Sequence, residues 1–109
     1  MNQSGGSAQD DLLRRAAEAL TRRDPQSALG LIDQADAMGA THDGTLNRAL
    51  ALRLLGDFHG ALLVLDDALA MQPYDFAALL GKAAMLEQIG QGQSAADVYR
   101  NALKLSPPR

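Results

Sequence analysis

The chain has no cysteine and no tryptophan, and only 4% of its 109 residues are aromatic. The absence of cysteine excludes disulfide bonds, thiol chemistry and cysteine-ligated metal sites. With so few aromatic side chains, the core must be built from alanine, leucine and methionine, which suits closely packed helices better than a sheet. Strand-like alternation of β-branched residues is also absent, so the sequence predicts an all-α protein.

Basic side chains and long apolar runs are scarce as well. Ten Lys and Arg against thirteen Asp and Glu give a net charge of −3, which does not suggest the clustered basic surface of a nucleic-acid-binding protein. No apolar run approaches the roughly 20 residues that cross a bilayer, and the first residues lack the layout of a signal peptide. We therefore expect a soluble cytoplasmic protein with neither a nucleic-acid nor a membrane partner.

Residues that could support catalysis are few and dispersed. The histidines His42 and His59 are 17 residues apart and do not form an HExxH pattern, so both are expected to be solvated surface residues. The adjacent carboxylates Asp66 and Asp67 would point in different directions on a helix, which does not suit an acid–base pair. No glycine-rich phosphate-binding motif is present. The sequence therefore predicts no catalytic residue, no metal and no cofactor.

One apolar pattern occurs three times along the chain. Ala61, Leu65 and Ala68 share one face of a helix at steps of four and three residues. The pattern also begins at Ala28 and at Ala95, which lie 33 and 34 residues from Ala61. A fixed period of this size indicates a solenoid of helix pairs. Six helices are expected, with turns near residues 24–25, 39–44, 56–57, 73–75 and 90–92.

This period sets the predicted organisation of the chain. A flexible N-terminal tail (residues 1–7) precedes a single domain (8–109), whose repeats span about 8–40, 41–74 and 75–109. The connections are short, so each repeat should form an antiparallel helix pair, and successive pairs should stack. Three glycines fall inside the helices, and we expect them to mark close helix packing: Gly30, Gly60 and Gly81.

The repeats resemble the tetratricopeptide repeat family. The third repeat matches the spacing of the family's pattern at Leu79, Lys82, Ala83, Leu86, Ala95, Tyr99 and Pro107. The alanine-x3-large half of the pattern occurs in all three repeats, whereas no first helix carries the family's large aromatic residue. The resemblance implies three stacked antiparallel helix pairs in a short right-handed superhelix, with a concave groove lined by the first helix of each pair.

The resemblance also implies a non-catalytic module that binds a peptide or a partner segment in this groove. The predicted groove residues are Leu13, Arg14, Ala17, Leu46, Asn47, Leu50, Arg53, Leu54, Leu80, Ala84, Glu87 and Gln88. The four leucines from the third and fifth helices exceed what the repeat pattern requires. They form either an exposed apolar stripe or additional helix–helix core.

Arg15, Arg48 and Lys82 occupy one equivalent position in the three repeats, where the family usually has an aliphatic residue. Their stems could cover apolar surface while the charges reach water. Alternatively, the three residues form a basic ladder, defined here as a row of cations that attracts an acidic partner.

The sixth helix would expose apolar side chains unless another element covers them. Ala96, Leu103 and Leu105 are therefore a candidate assembly surface, and a self-associating scaffold, such as a homodimer, is one alternative function. The alanine-rich repeats also look weakly like the N-terminal repeat region of some bacterial aspartyl/asparaginyl β-hydroxylases. That likeness gives a second alternative, an accessory domain of a larger enzyme, although none of that enzyme's metal-binding residues is present.

Overall fold

A computed structural model describes residues 6–105 of the chain, with side chains from residue 8 onward. Within this range the backbone forms helices and no strand, which confirms the predicted all-α class. The helices are α1 (Gly6–Thr21), α2 (Pro25–Asp36), α3 (His42–Leu54), α4 (Phe58–Met71), α5 (Phe76–Gln88) and α6 (Gly92–Leu105). None of them has the length and apolar character needed to cross a bilayer.

Two sequence predictions concern the ends of the chain. The predicted tail, residues 1–7, overlaps α1, which begins at Gly6, and its first five residues lie outside the described range. The predicted stop at Pro107 also lies outside the described residues.

The helices begin and end where local chemistry favours it. Four helices begin at a side chain that accepts a hydrogen bond from a free backbone N–H of the first turn. These N-cap residues are Asp24, Thr41, Asp57 and Asp75. Gly56 follows α3 with φ +83°, a left-handed conformation that a residue with a Cβ adopts only with strain. These caps and breaks lie at the turns that the sequence predicts.

Helix pairs and their stacking build an elongated molecule of 49 × 32 × 23 Å. The pairs are α1–α2, α3–α4 and α5–α6, and α2–α3 and α4–α5 contacts stack them. Ala28, Ala61 and Ala95, the first residues of the repeated pattern, are almost completely buried. Their small side chains let neighbouring helices approach, while Ile32 and Leu65 fill the space one turn later. The core is a row of such contacts along the stack.

The three glycines inside helices have different explanations. A Cβ at Gly81 would lie 3.2 Å from a Cδ of Leu65, so close packing explains this glycine as predicted. A Cβ at Gly60 would instead collide with the carboxylate of Asp57, the N-cap of the same helix. At Gly30 a Cβ would meet nothing within 4 Å, so the prediction of close packing is wrong there.

Candidate functional site

A concavity of about 230 Å³ opens between α3 and α5. Leu46 and Leu50 line it from α3, and Ala77 and Gly81 line it from α5. Leu65 of α4, only 6% exposed, also contributes to the lining. Because Ala77 and Gly81 are small, α5 leaves a gap through which this core leucine borders the concavity. The site is therefore mainly apolar, with a buried core side chain at its base.

A second concavity, of about 330 Å³, lies between α1 and α3. Its lining is more polar and consists of Asp10, Leu13, Arg14, Ala17, Asp43, Leu46 and Asn47. Leu46 and Asn47 line both concavities, so the two adjoin along α3. Together they form a surface that runs across α1, α3 and α5, which we call the groove.

The predicted groove residues divide between those that line these concavities and those that do not. Seven line one or both: Leu13, Arg14, Ala17, Leu46, Asn47, Leu50 and Arg53. The other five lie on α3 and α5 outside the two linings: Leu54, Leu80, Ala84, Glu87 and Gln88. The linings also include three buried residues outside that prediction: Ala49, Leu65 and Met85. The repeated pattern marks Leu65 as part of the core, but it gives no sign that a gap in the stack exposes one side of this residue.

The four extra leucines are partly core and partly surface. Leu46 and Leu54 are half-buried and pack against the two core clusters. Leu50 and Leu80 remain 38% and 37% exposed. Leu46 and Leu54 therefore contribute to helix packing, whereas Leu50 and Leu80 keep part of their apolar surface exposed.

The two predicted groove arginines differ in their partners. Arg14 donates hydrogen bonds to the carboxylates of Asp11 and Glu18 on its own helix, at 2.9 Å to Glu18. These bonds raise the pKa of Arg14 above its ordinary value. For Arg53, no carboxylate in the described part of the chain lies within 4.0 Å. Arg53 is therefore the better placed of the two to meet an acidic group of a ligand.

Comparison with known proteins gives one curated relative. No family model matches the sequence. A TPR repeat-containing protein of Rhizobium etli is 26% identical over 107 residues. The match covers 97% of this chain and 52% of the relative, so the chain spans about half the length of that protein.

Two solved structures share the arrangement of helices. A mutant of MamA superposes with a TM-score of 0.82 at 19% identity, covering 93% of this chain and 74% of MamA. PcrH, crystallised in complex with the chaperone binding region of PopB, gives 0.85 at 13% identity, covering 96% and 86%. The chain has the tetratricopeptide repeat fold. The predicted family resemblance and superhelical architecture are thereby confirmed.

Contacts across the tetratricopeptide array show that His42 is not the solvated residue that the sequence predicts. Its side chain is 13% exposed, and Nε2 is hydrogen-bonded to the carboxylate of Asp75. Its Nδ1 atom is buried and has no hydrogen-bond partner within the described chain. The other histidine, His59, is exposed. Among residues 8–105, no group of three His, Asp or Glu side chains is arranged to hold a metal.

Asp75 links the second repeat to the third. Besides the contact with His42, its carboxylate accepts hydrogen bonds from the N–H groups of Ala77 and Ala78 at the start of α5. Burial alone would raise the pKa of Asp75, but these hydrogen bonds to the ionised form outweigh it and lower the pKa. The negative charge of Asp75 is therefore stabilised at the boundary between two repeats.

The residues of the predicted basic ladder are paired with carboxylates. Arg48 of α3 contacts Asp33 and Asp36 of α2, each at 2.9 Å. Lys82 of α5 contacts Asp66 of α4 at 2.9 Å. Asp33 and Asp66 lie five residues after Ala28 and Ala61, so the same ion pair joins each repeat to the next.

These pairs change the interpretation of the basic residues. Burial lowers the pKa of Arg48, but hydrogen bonds to both carboxylates outweigh it and raise the pKa overall. Arg15 lies 3.9 Å from Asp11 of its own helix. Because each cation has a carboxylate within 4 Å, the hypothesis of a ladder that attracts an acidic partner loses its basis. The alternative of charges that only reach water is incomplete as well, since Arg48 and Lys82 form ion pairs with the preceding repeat.

The predicted assembly surface lies on α6, which packs on α5. Leu103 is 70% exposed and Leu105 38% exposed, whereas Ala96 is half-buried. The hydroxyl of Tyr99 on the same helix donates a hydrogen bond of 2.8 Å to Glu87 of α5. This bond raises the pKa of Tyr99 and occupies Glu87, one of the predicted groove residues.

Proposed function

We propose that the groove binds an apolar segment of a partner protein. The observation that carries the proposal is the exposure of Leu50. This side chain is 38% exposed and lines the side of a concavity whose base is the buried Leu65. Exposed apolar side chains that line a concave surface are typical of binding sites. The fold supports the same interpretation, because the structurally similar PcrH was crystallised with a segment of PopB.

The lining indicates which chemistry the segment should have. The space between α3 and α5 has room for a large apolar side chain, which would contact Leu46, Leu50 and Leu65. Such an anchor residue provides most of the affinity in many peptide complexes. Arg53 lines the same concavity and has no carboxylate partner among the described residues, so an acidic group beside the anchor would be favoured.

Selection from a displayed library of random peptides tests the proposal, because it does not require the natural partner. We expect enriched peptides to share a large apolar residue with an acidic neighbour. Their affinity for the protein would be measured by fluorescence anisotropy. Leu50→Asp should weaken binding by roughly tenfold or more, because it places a charge against the anchor. Circular dichroism of this variant should stay close to that of the wild type, since Leu50 is not fully buried.

The matched control is Leu63→Asp. Leu63 is 67% exposed on α4 and lines neither concavity, so this substitution should leave peptide binding unchanged. Equal loss of binding in both variants, or no loss in either, would contradict the proposed site. A large fall in helicity for Leu50→Asp would show instead that this leucine belongs to the core.

A further inference from the structure

One position on the second helix of each repeat forms the ion pair with the next repeat, and the charge of the residue at this position changes along the stack. Asp33 of α2 and Asp66 of α4 hold this position and receive Arg48 and Lys82 from the next helix. The equivalent residue of α6, five positions after the first alanine of the motif, is Arg100. If another helix packed on α6 as α3 packs on α2, it would therefore meet the cation Arg100. At the same position, α3 and α5 meet a carboxylate.

The same face of α6 is open and apolar. Leu103 occupies the position of Leu69, which is half-buried and packs against the core between α3, α4 and α5. Leu103 is instead 70% exposed. Arg100 contacts Asp97 of its own helix, and both side chains are 61% exposed. Exposed pairs of this kind contribute little to stability, so Arg100 can exchange Asp97 for a carboxylate of another molecule.

We propose that this surface of Ala96, Arg100 and Leu103, which we call the α6 face, binds an amphipathic helix of a partner protein. That helix carries a carboxylate at the position where α3 and α5 carry Arg48 and Lys82. The half-buried Ala96 lets the helix approach, Leu103 supplies the apolar contact, and Arg100 selects the charge. This binding is separate from that of the groove.

A second copy of this chain does not meet these requirements when it stacks head to tail. In the first repeat, Asp11 and Glu18 of α1 are equivalent to Gly44 and Ala51 of α3 in the second repeat. Gly44 and Ala51 are both buried between helices. Packing α1 on the α6 face would bury both carboxylates and bring Arg15 against Arg100. Burying these carboxylates is unfavourable even though Arg14 pairs with both of them, because the loss of hydration can exceed the attraction within an ion pair. The residues of α1 therefore oppose a chain of copies and leave the α6 face to a different helix.

Two synthetic peptides test the charge selection. The first has the sequence of residues 75–89, which includes α5, and the second carries Lys82→Glu in that sequence. Each is titrated into the isotope-labelled protein while the backbone amide signals are followed by nuclear magnetic resonance. We expect the Glu peptide to shift signals of Arg100 and Leu103 and to bind with a Kd roughly fivefold lower than that of the Lys peptide. In the protein variant Arg100→Glu, the preference should reverse.

Arg53→Glu is the matched control, because it makes the same change of net charge in the groove. It should retain the preference for the Glu peptide. The proposal is overturned by any of four results: no binding of either peptide, equal affinities, an unchanged preference in Arg100→Glu, or signal shifts confined to the groove. Light scattering is a second, independent test of the proposal. A dimer that Leu103→Glu converts to a folded monomer would show that a second copy covers the α6 face.

Discussion

Replacing Arg48 by methionine should lower the free energy of unfolding by about 1 kcal/mol at neutral pH. Methionine keeps most of the apolar stem, so the loss reports mainly on the charge and its hydrogen bonds. Arg48 joins α3 to α2 through two carboxylates, each at 2.9 Å. The substitution therefore tests whether the repeated ion pair holds neighbouring repeats together.

The size of the effect follows from exposure. Arg48 and Asp36 are 27% and 30% exposed, so this pair is partly shielded from water. The Asp33 side chain is 67% exposed, and its contribution should be a few tenths of a kcal/mol, as is common for surface pairs. Hydrogen bonds to charged groups contribute roughly 1.5–3 kcal/mol when well shielded, so partial exposure places the sum near 1 kcal/mol. A loss of that size lowers Tm by about 5 °C in a domain of this length.

Urea unfolding monitored by circular dichroism measures the change, and a double-mutant cycle with Asp36→Asn isolates the pair. The coupling energy should be about 0.7 kcal/mol and should fall in roughly 1 M salt. Arg53→Met is the control, because Arg53 has no carboxylate within 4.0 Å in the described chain, and it should change stability by less than about 0.5 kcal/mol. A coupling energy within error of zero would refute the view that this ion pair joins the repeats.

Two further predictions concern a repeat boundary and the helix glycines. The pKa of Asp75 is lowered in the folded protein, so its stabilising effect is present above the unfolded pKa of about 3.9 and is lost as pH falls through the folded value. Asp75→Asn, which also breaks the contact with His42, should therefore lower the free energy of unfolding near pH 7. In this variant the free energy of unfolding should also decrease less as the pH is lowered, and urea unfolding measures both effects. Gly30→Ala should raise the free energy of unfolding by about 0.5–1 kcal/mol, because alanine favours the helical conformation more than glycine does and its Cβ would meet no other atom within 4 Å. Gly81→Ala should gain nothing or lose stability, since its Cβ would press on Leu65, and equal gains at both glycines by thermal unfolding would contradict this.

Much of the fold could be predicted because the constraints are local or periodic. A buried position between two crossing helices accepts only a small residue, and the alanines at 28, 61 and 95 reveal the repeat length. N-cap residues mark helix starts because the first N–H groups need acceptors. The first signal is a small residue at the helix crossing itself, and the second is a hydrogen-bond acceptor at the helix start itself. The order of helices, their antiparallel pairing and the turn positions follow from them.

The site depends on distances between helices, which the local pattern does not contain. Leu50 and Leu54 are one turn apart on α3, yet Leu54 packs against a core cluster and Leu50 is exposed. A neighbouring helix decides between the two environments, and the period is the same for both. His42 and Asp75 meet across 33 residues of sequence, and neither residue belongs to a pattern that predicts the contact. The sequence therefore indicates candidate residues for the groove but not which of them are accessible.

The two proposed surfaces can be judged separately because each has its own arginine. If binding depended only on the net charge of the protein, Arg53→Glu and Arg100→Glu would weaken both kinds of probe equally, since each removes one positive charge and adds one negative charge. If the surfaces act as proposed, Arg53→Glu affects library-selected peptides and spares the α5-derived peptides, and Arg100→Glu does the opposite. Loss of the first effect alone would remove the groove proposal and leave the α6 face standing. Loss of the second alone would leave a groove that binds apolar segments on an array whose α6 face does not select charge.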